Sequence, residues 1–541
     1  MLNNVNNITI VGGGSAGWMT AAFLIKLFPE KEIRLVESPN IPILGVGEST
    51  LGGINEFMYF LGIEEKDFMP ETDASYKLSI KFTDFYEKDA GSFHYPFGLP
   101  YLENSVNGLR DWMFKKALYP EIPNDDFVRS YFPASALFDN NKYSDNSDGS
   151  FDNFDPRFSV AYHFDAVKFG LWLKENYCLP RGVKHILADV VETPVNNEGI
   201  EKLVLSNGDE LTADLFIDCT GFKSLLLGEA LKEPFTSFSD LIPNNRAWAT
   251  RLPYVDKERE LEGFTNSTAY NNGWVWNIPL WSRLGTGYVY SDKYITPEEA
   301  LEEFKQYLKS DKMVVPRTDE QINELEFRPI QMRIGMHERT FVKNVVAIGL
   351  SAGFIEPLES NGLFSVHTFL FSLGQALLRG RVNQWAVDSY NNHTYNIFRI
   401  LGEFISLHYS LSVRQDTQYW RDVTERSYLK ELIDPNRFSE FVNVANAKNN
   451  IGDGLPVLSG SVYVTAGMNY PIMDFIAQRI GEIQDGISHE NFVEKTYKNL
   501  ENNKIRWSLA AKKSPTLYEY LRDNIYQNSL ENGESHEHSS F

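Results

Sequence analysis

Cysteine is almost missing from this chain: Cys178 and Cys219 are the only two in 541 residues. Neither their number nor their spacing builds a disulfide framework or a zinc site, and a reducing compartment is the simplest reading. Basic side chains are also in short supply, with 51 Lys and Arg against 73 Asp and Glu and a formal charge of −22. That balance argues against nucleic acid or an anionic membrane as partner, since both require a basic face. No apolar run approaches the length of a membrane span. The first expected strand begins near Asn7, which leaves no room before it for the apolar stretch of a secretion signal. A cytoplasmic protein is therefore expected. There is no internal repeat. What the chain does have is 43% apolar residues over a length too great for one small domain, so two intimately packed regions are expected.

Ile8 to Val11 reads as a short strand, followed at once by Gly12-Gly13-Gly14-Ser15-Ala16-Gly17 and an apolar-rich helix from Trp18 to Leu27. A second strand, Ile33 to Val36, ends at Glu37, about 20 residues beyond the glycines, where a ribose-binding acid belongs. In such a loop Gly12 permits the tight turn, Gly14 lets backbone approach a pyrophosphate, and Gly17 lets helix pack on strand. The helix N-terminus then offers N–H groups to phosphate. Leu215 to Gly221 and Val345 to Gly349 read as later strands of the same sheet, so the regions interleave. From Gly362 the pattern is mostly helical, notably Leu363 to Leu378 and Tyr390 to Leu411. Pro123 to Pro156, rich in Asp, Asn and Ser, reads as a surface excursion.

Three further segments carry candidate chemistry. In Tyr76 to Phe82, alternation puts Lys77, Ser79 and Lys81 on one face of a strand, which by pattern alone is a half-buried strand with a solvated basic face. Trp274-Val275-Trp276-Asn277-Ile278-Pro279 puts two indoles on one face of an extended segment ended by proline. Ser351 to Gly362 joins a strand to a helix. N–H groups just after Ser360 suit a small anion, although a plain helix cap at Ser360 or Asn361 explains the same residues.

Taken together, the glycine loop, Lys77 in its Tyr-Lys-Leu-Ser-Ile-Lys-Phe context, and Trp274 to Pro279 resemble the flavin-dependent halogenases of the tryptophan and indole type. The resemblance runs from Ile8 to about Trp420 and includes Ala161 to Ala166, Leu226 to Phe235, Gly285 to Tyr290 and Asp416 to Trp420. His163 and Asp165 lie within it and are expected to be structural. The resemblance implies an α/β, Rossmann-like FAD-binding fold of the flavin monooxygenase type, with an interleaved sheet and a mostly helical C-terminal substrate region. The domain expectation is a discontinuous FAD-binding region, 1–375, with inserted β-rich segments at about 75–200 and 235–330. Helices follow over 376–528, then a frayed tail, 529–541.

The resemblance also implies site residues. Gly12, Gly13, Gly14, Ser15, Ala16, Gly17, Glu37, Gly47, Glu48, Ser49, Gly349 and Leu350 would bind FAD. Lys77 and Glu359 would be catalytic, and Glu356 structural. Asn361 and Gly362 would bind halide (chloride, bromide or iodide), and Trp274, Trp276 and Ser360 would wall the flavin side and its tunnel. Phe97 and Tyr95 would meet the substrate, and no metal is implied. Reduced FAD and oxygen would turn halide into hypohalous acid. Lys77 would hold or capture the oxidised halogen, and Glu359 would stabilise the cationic ring or take its proton. No second glycine loop is present, so a separate NAD(P)H-dependent flavin reductase would supply reduced FAD in trans.

The chain departs from the family pattern where substrate should bind. Tyr95 replaces a family histidine, Ser360-Asn361-Gly362 replaces Ser-Thr-Gly, and Ile451 to Gly460 lacks the aromatics and most of the polar anchors that grip an amino acid. The expected substrate is thus a less polar indole- or phenol-like arene, with free tryptophan disfavoured. An FAD-dependent aromatic monooxygenase and an inactive FAD-binding protein remain as alternatives, and a homo-oligomer stays open.

Overall fold

Leu215-Phe216-Ile217 is a continuous apolar run and Ile8 to Val11 is interrupted only by Thr9, as strands buried on both faces of a parallel sheet require. In the computed structural model, which describes residues 2–3, 5–41, 48–101, 112, 115–116, 119–378, 380–425, 456–469 and 489–527, they are neighbours in a six-stranded sheet. Its order is Phe341–Val342, Val345–Ala347, Leu215–Asp218, Asn7–Val11, Glu32–Glu37, Lys184–Leu187. All neighbours are parallel except the first pair, a hairpin. Ile8, Ile10, Leu35, Phe216 and Ile217 are wholly buried, each contributing about 2 kcal/mol through burial of apolar surface.

The helix Ser15–Leu27 follows the central strand and is buried throughout from Gly17 to Ile25. It lies close to the sheet because Gly17 has no side chain: a Cβ there would come within 1.9 Å of the Gly12 carbonyl oxygen. Residues 1–75, 162–249 and 328–402 form this first compact unit. Within it the helix Ala166–Trp172 is capped by Asp165, whose carboxylate accepts from the N–H groups of Val167 and Lys168. His163 is fully buried, and its Nδ1 lies 3.3 Å from Ser75 Oγ.

The second unit comprises residues 76–161, 250–327 and 403–541. Its sheet runs Leu284–Tyr290, Gly273–Pro279, Phe264–Tyr270, Ser79–Thr83, Ser92–Pro96, antiparallel except where Phe264–Tyr270 meets Ser79–Thr83. A helix, Pro456–Gly467, packs against Ser92–Pro96 through missing side chains. A Cβ on Gly467 would stand 2.1 Å from Phe93 Cγ, and one on Gly460 would stand 2.5 Å from Phe404 Cζ and 3.1 Å from Tyr95 Cε1.

One expectation needs correction: the stretch 123–156 is only in part a surface excursion. Its helices Asp126–Tyr131 and Ala134–Phe138 bury Phe127, Val128, Tyr131, Leu137 and Phe138. Asp126 is tied there by Lys115 at 2.8 Å and Lys504 at 2.7 Å, and the polar residues between the aromatics hid this core. The compact units divide the chain at other points than the expected segments at about 75–200 and 235–330: residues 162–200, 235–249 and 328–330 fall in the first unit, where Lys184–Leu187 completes the parallel sheet. Of the expected helical region 376–528, residues 376–402 fall in the first unit. Residues 529–541, Gly45 to Gly47 and Ile451 to Leu455 lie outside the described residues. Among the described residues, no helix is long and apolar enough to cross a membrane.

Candidate active site

The glycine loop is built by exclusion. Gly12 has φ +116°, and a Cβ on it would stand 2.2 Å from the Cys219 carbonyl oxygen, so no other residue makes this turn without displacing the neighbouring strand end. Gly13 backs onto Glu37, whose Cδ would lie 2.3 Å from a Gly13 Cβ, whereas a Cβ on Gly14 would meet nothing within 4 Å. Gly14 then begins the helix Ser15–Leu27 without a side-chain cap, leaving the first-turn N–H groups to an outside acceptor. An open backbone edge at an uncapped helix end, with an acid at the next strand's end, fits the pyrophosphate and ribose of FAD. Gly349, at φ +73°, adjoins this helix: its Cβ would be 3.0 Å from Ala16 Cβ. Leu350 follows in the tight turn Gly349–Ser351.

Further along the first unit, Pro357–Glu359 forms a single tight turn, Ser360 adopts φ +57°, and the helix Asn361–Leu378 begins. Glu359 is 1% exposed. Ser360 Oγ lies 2.9 Å from Ser49 Oγ, which ties this turn to the short strand Glu48–Ser49. Glu356 is held by Asn244 Nδ2, which donates to its Oε2 at 2.8 Å, and Asn361 Nδ2 donates to the Glu356 carbonyl at 3.1 Å. Asn361 therefore braces its own loop. A Cβ on Gly362 would meet Glu48 Oε2 at 3.8 Å. Burial, reinforced by the nearby Asp165 carboxylate, pushes the Glu48 carboxyl up to about 7.

Lys77 belongs to the second unit, at the end of the short strand Ser75–Lys77. Its face is not solvated, which corrects the pattern reading: Lys77 is 0% exposed and its Nζ sits 5.0 Å from the Phe97 ring centre. The chain breaks its strand at Leu78, whose N–H donates to the Gly263 carbonyl at 2.7 Å and whose carbonyl accepts from Phe97 N–H at 3.1 Å. That second bond fixes Phe97 beside Lys77. Tyr95 is 6.0 Å from Phe97, 5.0 Å from Tyr463 and 6.4 Å from Phe404 between ring centres. Trp274 and Trp276 share one face of Gly273–Pro279, buried, with rings 6.2 Å apart. Both indole Nε1 atoms are buried without a hydrogen-bond partner among the described residues.

The first unit thus gathers Gly12 to Gly17, Glu37 and Gly349 around one loop, and Glu48, Ser49, Ser360 and Gly362 around another. The second gathers Lys77, Phe97 and Tyr95. Sequence reading missed Tyr463 and Phe404 beside Tyr95, and His185 and Lys174 beside Glu37. His185 lies 148 residues from Glu37, and no local motif links residues so distant. Among the described residues no group of three His, Cys, Asp or Glu side chains could hold a metal.

Sheet, loop and helix end define a dinucleotide-binding α/β protein of the flavin-enzyme type. Residues 7–456 match the family model described as tryptophan halogenase, and the chain belongs to this family of flavin-dependent enzymes. It is 36% identical over 447 residues to the tryptophan 6-halogenase SttH of Streptomyces toxytricini, spanning 78% of this chain and 82% of that one. It is 34% identical over 436 residues to the tryptophan 7-halogenase RebH of Lentzea aerocolonigenes, spanning 78% and 79%. Among solved structures, the VirX1 apo structure superposes with a TM-score of 0.87 at 36% identity, covering 97% of this chain and 99% of that one. BrvH, a flavin-dependent halogenase from Brevundimonas sp. BAL3, does so with a TM-score of 0.80 at 29% identity, covering 96% and 99%.

Proposed function

We propose that this enzyme halogenates an indole- or phenol-like arene by electrophilic substitution, using Lys77 to deliver the halogen and Glu359 to receive the displaced proton. The single observation that carries this reading is the complete burial of Lys77 against Phe97 in a member of this family. Reduced FAD, delivered by a separate NAD(P)H-dependent flavin reductase, would supply with oxygen the oxidising power that makes halide electrophilic.

The chain's own residues do the rest. Gly12, Gly13, Gly14, Ser15, Ala16 and Gly17 hold the pyrophosphate at backbone N–H groups, and Glu37 holds the ribose. Gly47, Glu48, Ser49, Gly349 and Leu350 complete the cofactor site. Asn361 and Gly362 receive the halide at the helix start, where the N–H dipoles favour an anion. Trp274, Trp276 and Ser360 keep water from the oxidant. Lys77 Nζ holds the electrophilic halogen, by hydrogen bond or as a haloamine, against a ring positioned by Phe97 and Tyr95. The ring carbon gains halogen and loses H⁺ to the Glu359 carboxylate.

Free tryptophan is disfavoured. The helix Pro456–Gly467 contains no charged residue to pair with a zwitterion's ammonium or carboxylate. The test is mass spectrometry of indoles, phenols and free tryptophan incubated with enzyme, FAD, reductase, NADH and oxygen, with chloride, bromide or iodide supplied separately and catalase present. Halide-dependent products from the less polar arenes support the reading. Efficient, regioselective turnover of free tryptophan refutes the substrate claim, and hydroxylation without halide refutes the reaction.

A further inference from the structure

The acid at the end of the second strand is not simply aimed at solvent. His185, on the edge strand Lys184–Leu187, sits with Nε2 2.7 Å from Glu37 Oε2. A carboxylate only accepts, so Nε2 carries the proton and donates. Trp18, from the glycine-loop helix, meets the imidazole edge-on with ring centres 5.4 Å apart and limits its rotation. Lys174 brings a positive charge to 3.9 Å from the same oxygen and 5.8 Å from the Trp18 ring centre. It does so from a π-helical turn, Leu173–Cys178. Such turns shift side-chain direction and recur at functional sites.

These contacts take up one carboxylate oxygen and leave the other on the loop side. Glu37 Oε1 would lie 2.6 Å from a Gly13 Cβ, so it stands over the glycine backbone, and no hydrogen bond engages it among the described residues. We infer that His185 is a positioning residue for the cofactor: by gripping Oε2 with help from Lys174, it turns Oε1 of Glu37 toward the ribose hydroxyls of FAD. The inference rests on the reading of the glycine loop and Glu37 as the FAD site. It adds a device that the strand–loop–helix pattern does not contain, since His185 and Lys174 come from segments about 140 residues away in sequence.

Orientation by a charge-assisted hydrogen bond is worth roughly ten- to hundredfold in affinity. The test is titration of flavin fluorescence with the full-length protein, read as the FAD dissociation constant, for wild type, His185→Ala, His185→Gln, Lys174→Met, Glu37→Gln and the double variant His185→Ala/Glu37→Gln. Circular dichroism checks that each is folded. The expected result is at least tenfold weaker binding for His185→Ala and a smaller loss for Lys174→Met. His185→Gln, whose amide N–H can reach the same oxygen, should recover to within about threefold. In the Glu37→Gln background, removing His185 should cost nothing further, because it acts through Glu37. Wild-type affinity in His185→Ala, or additive losses in the double variant, overturns the positioning role while leaving FAD binding in place. Failure of the wild-type protein to bind FAD overturns the underlying reading, and the inference with it.

Discussion

Glu48 offers a measurement that needs no substrate. Its carboxyl is pushed from 4.5 up to about 7, first by burial and then by the Asp165 carboxylate. A displacement of that size is worth about 3 kcal/mol of folding free energy for a fully enclosed group. Glu48 keeps part of its surface in solvent, and screening there reduces the figure to about 1–2 kcal/mol. The sign follows from proton linkage: a carboxyl raised in the folded state stabilises that state while protonated. The contribution is complete below the unfolded value of 4.5, falls as pH rises, and is gone above about 7. Glu48→Gln keeps the shape and removes the ionisation. Urea unfolding of the flavin-free protein at pH 5 and pH 8 should therefore show the variant gaining about 1–2 kcal/mol relative to wild type on going to the higher pH. A constant difference between the two proteins across that range would mean instead that Glu48 is ionised normally.

Other outcomes follow from particular atoms. Gly12→Ala forces a Cβ to 2.2 Å from a backbone oxygen at φ +116°; stability should fall by about 3 kcal/mol and FAD binding should vanish, both readable by thermal melting and flavin fluorescence. Glu260→Gln leaves Arg317 buried without its carboxylate partner, and chemical denaturation should show a loss of about 3 kcal/mol. Gly460→Ala pushes on Phe404 and Tyr95, at a cost of about 1–2 kcal/mol, and should change product ratios across a panel of arenes while the FAD dissociation constant stays constant. If the ratios are unchanged, Tyr95 does not help shape the substrate site.

The parts of this fold that were legible in the sequence are those whose determinants are contiguous. Ile8 to Leu27 announced strand, turn and helix because the glycines stand together between a short strand and an apolar-rich helix. Leu215 to Ile217 and Val345 to Ala347 announced buried parallel strands by being apolar throughout. Lys77 shows the limit. Alternation described one strand from Tyr76 to Phe82, whereas the chain breaks at Leu78 into Ser75–Lys77 and Ser79–Thr83 of two different sheets, and only tertiary packing turned a basic face into a buried lysine beside Phe97. Phe127 to Phe138 were hidden because Asp, Asn and Ser around them dilute the apolar pattern of two short helices. His185, Lys174 and Tyr463 became visible only once distant segments were brought together, since none lies within a recognisable motif.

The central claim is that Lys77 delivers halogen to an aromatic ring. The most direct measurement compares wild type and Lys77→Ala, both saturated with reductase-supplied FAD, on one indole substrate with and without bromide, with products read by their isotope pattern in the mass spectrum. The expected result is a brominated product only from wild type and only with bromide, with FAD affinity unchanged in the variant. A variant that brominates at the wild-type rate, or a wild type that yields only an oxygenated product, would contradict it.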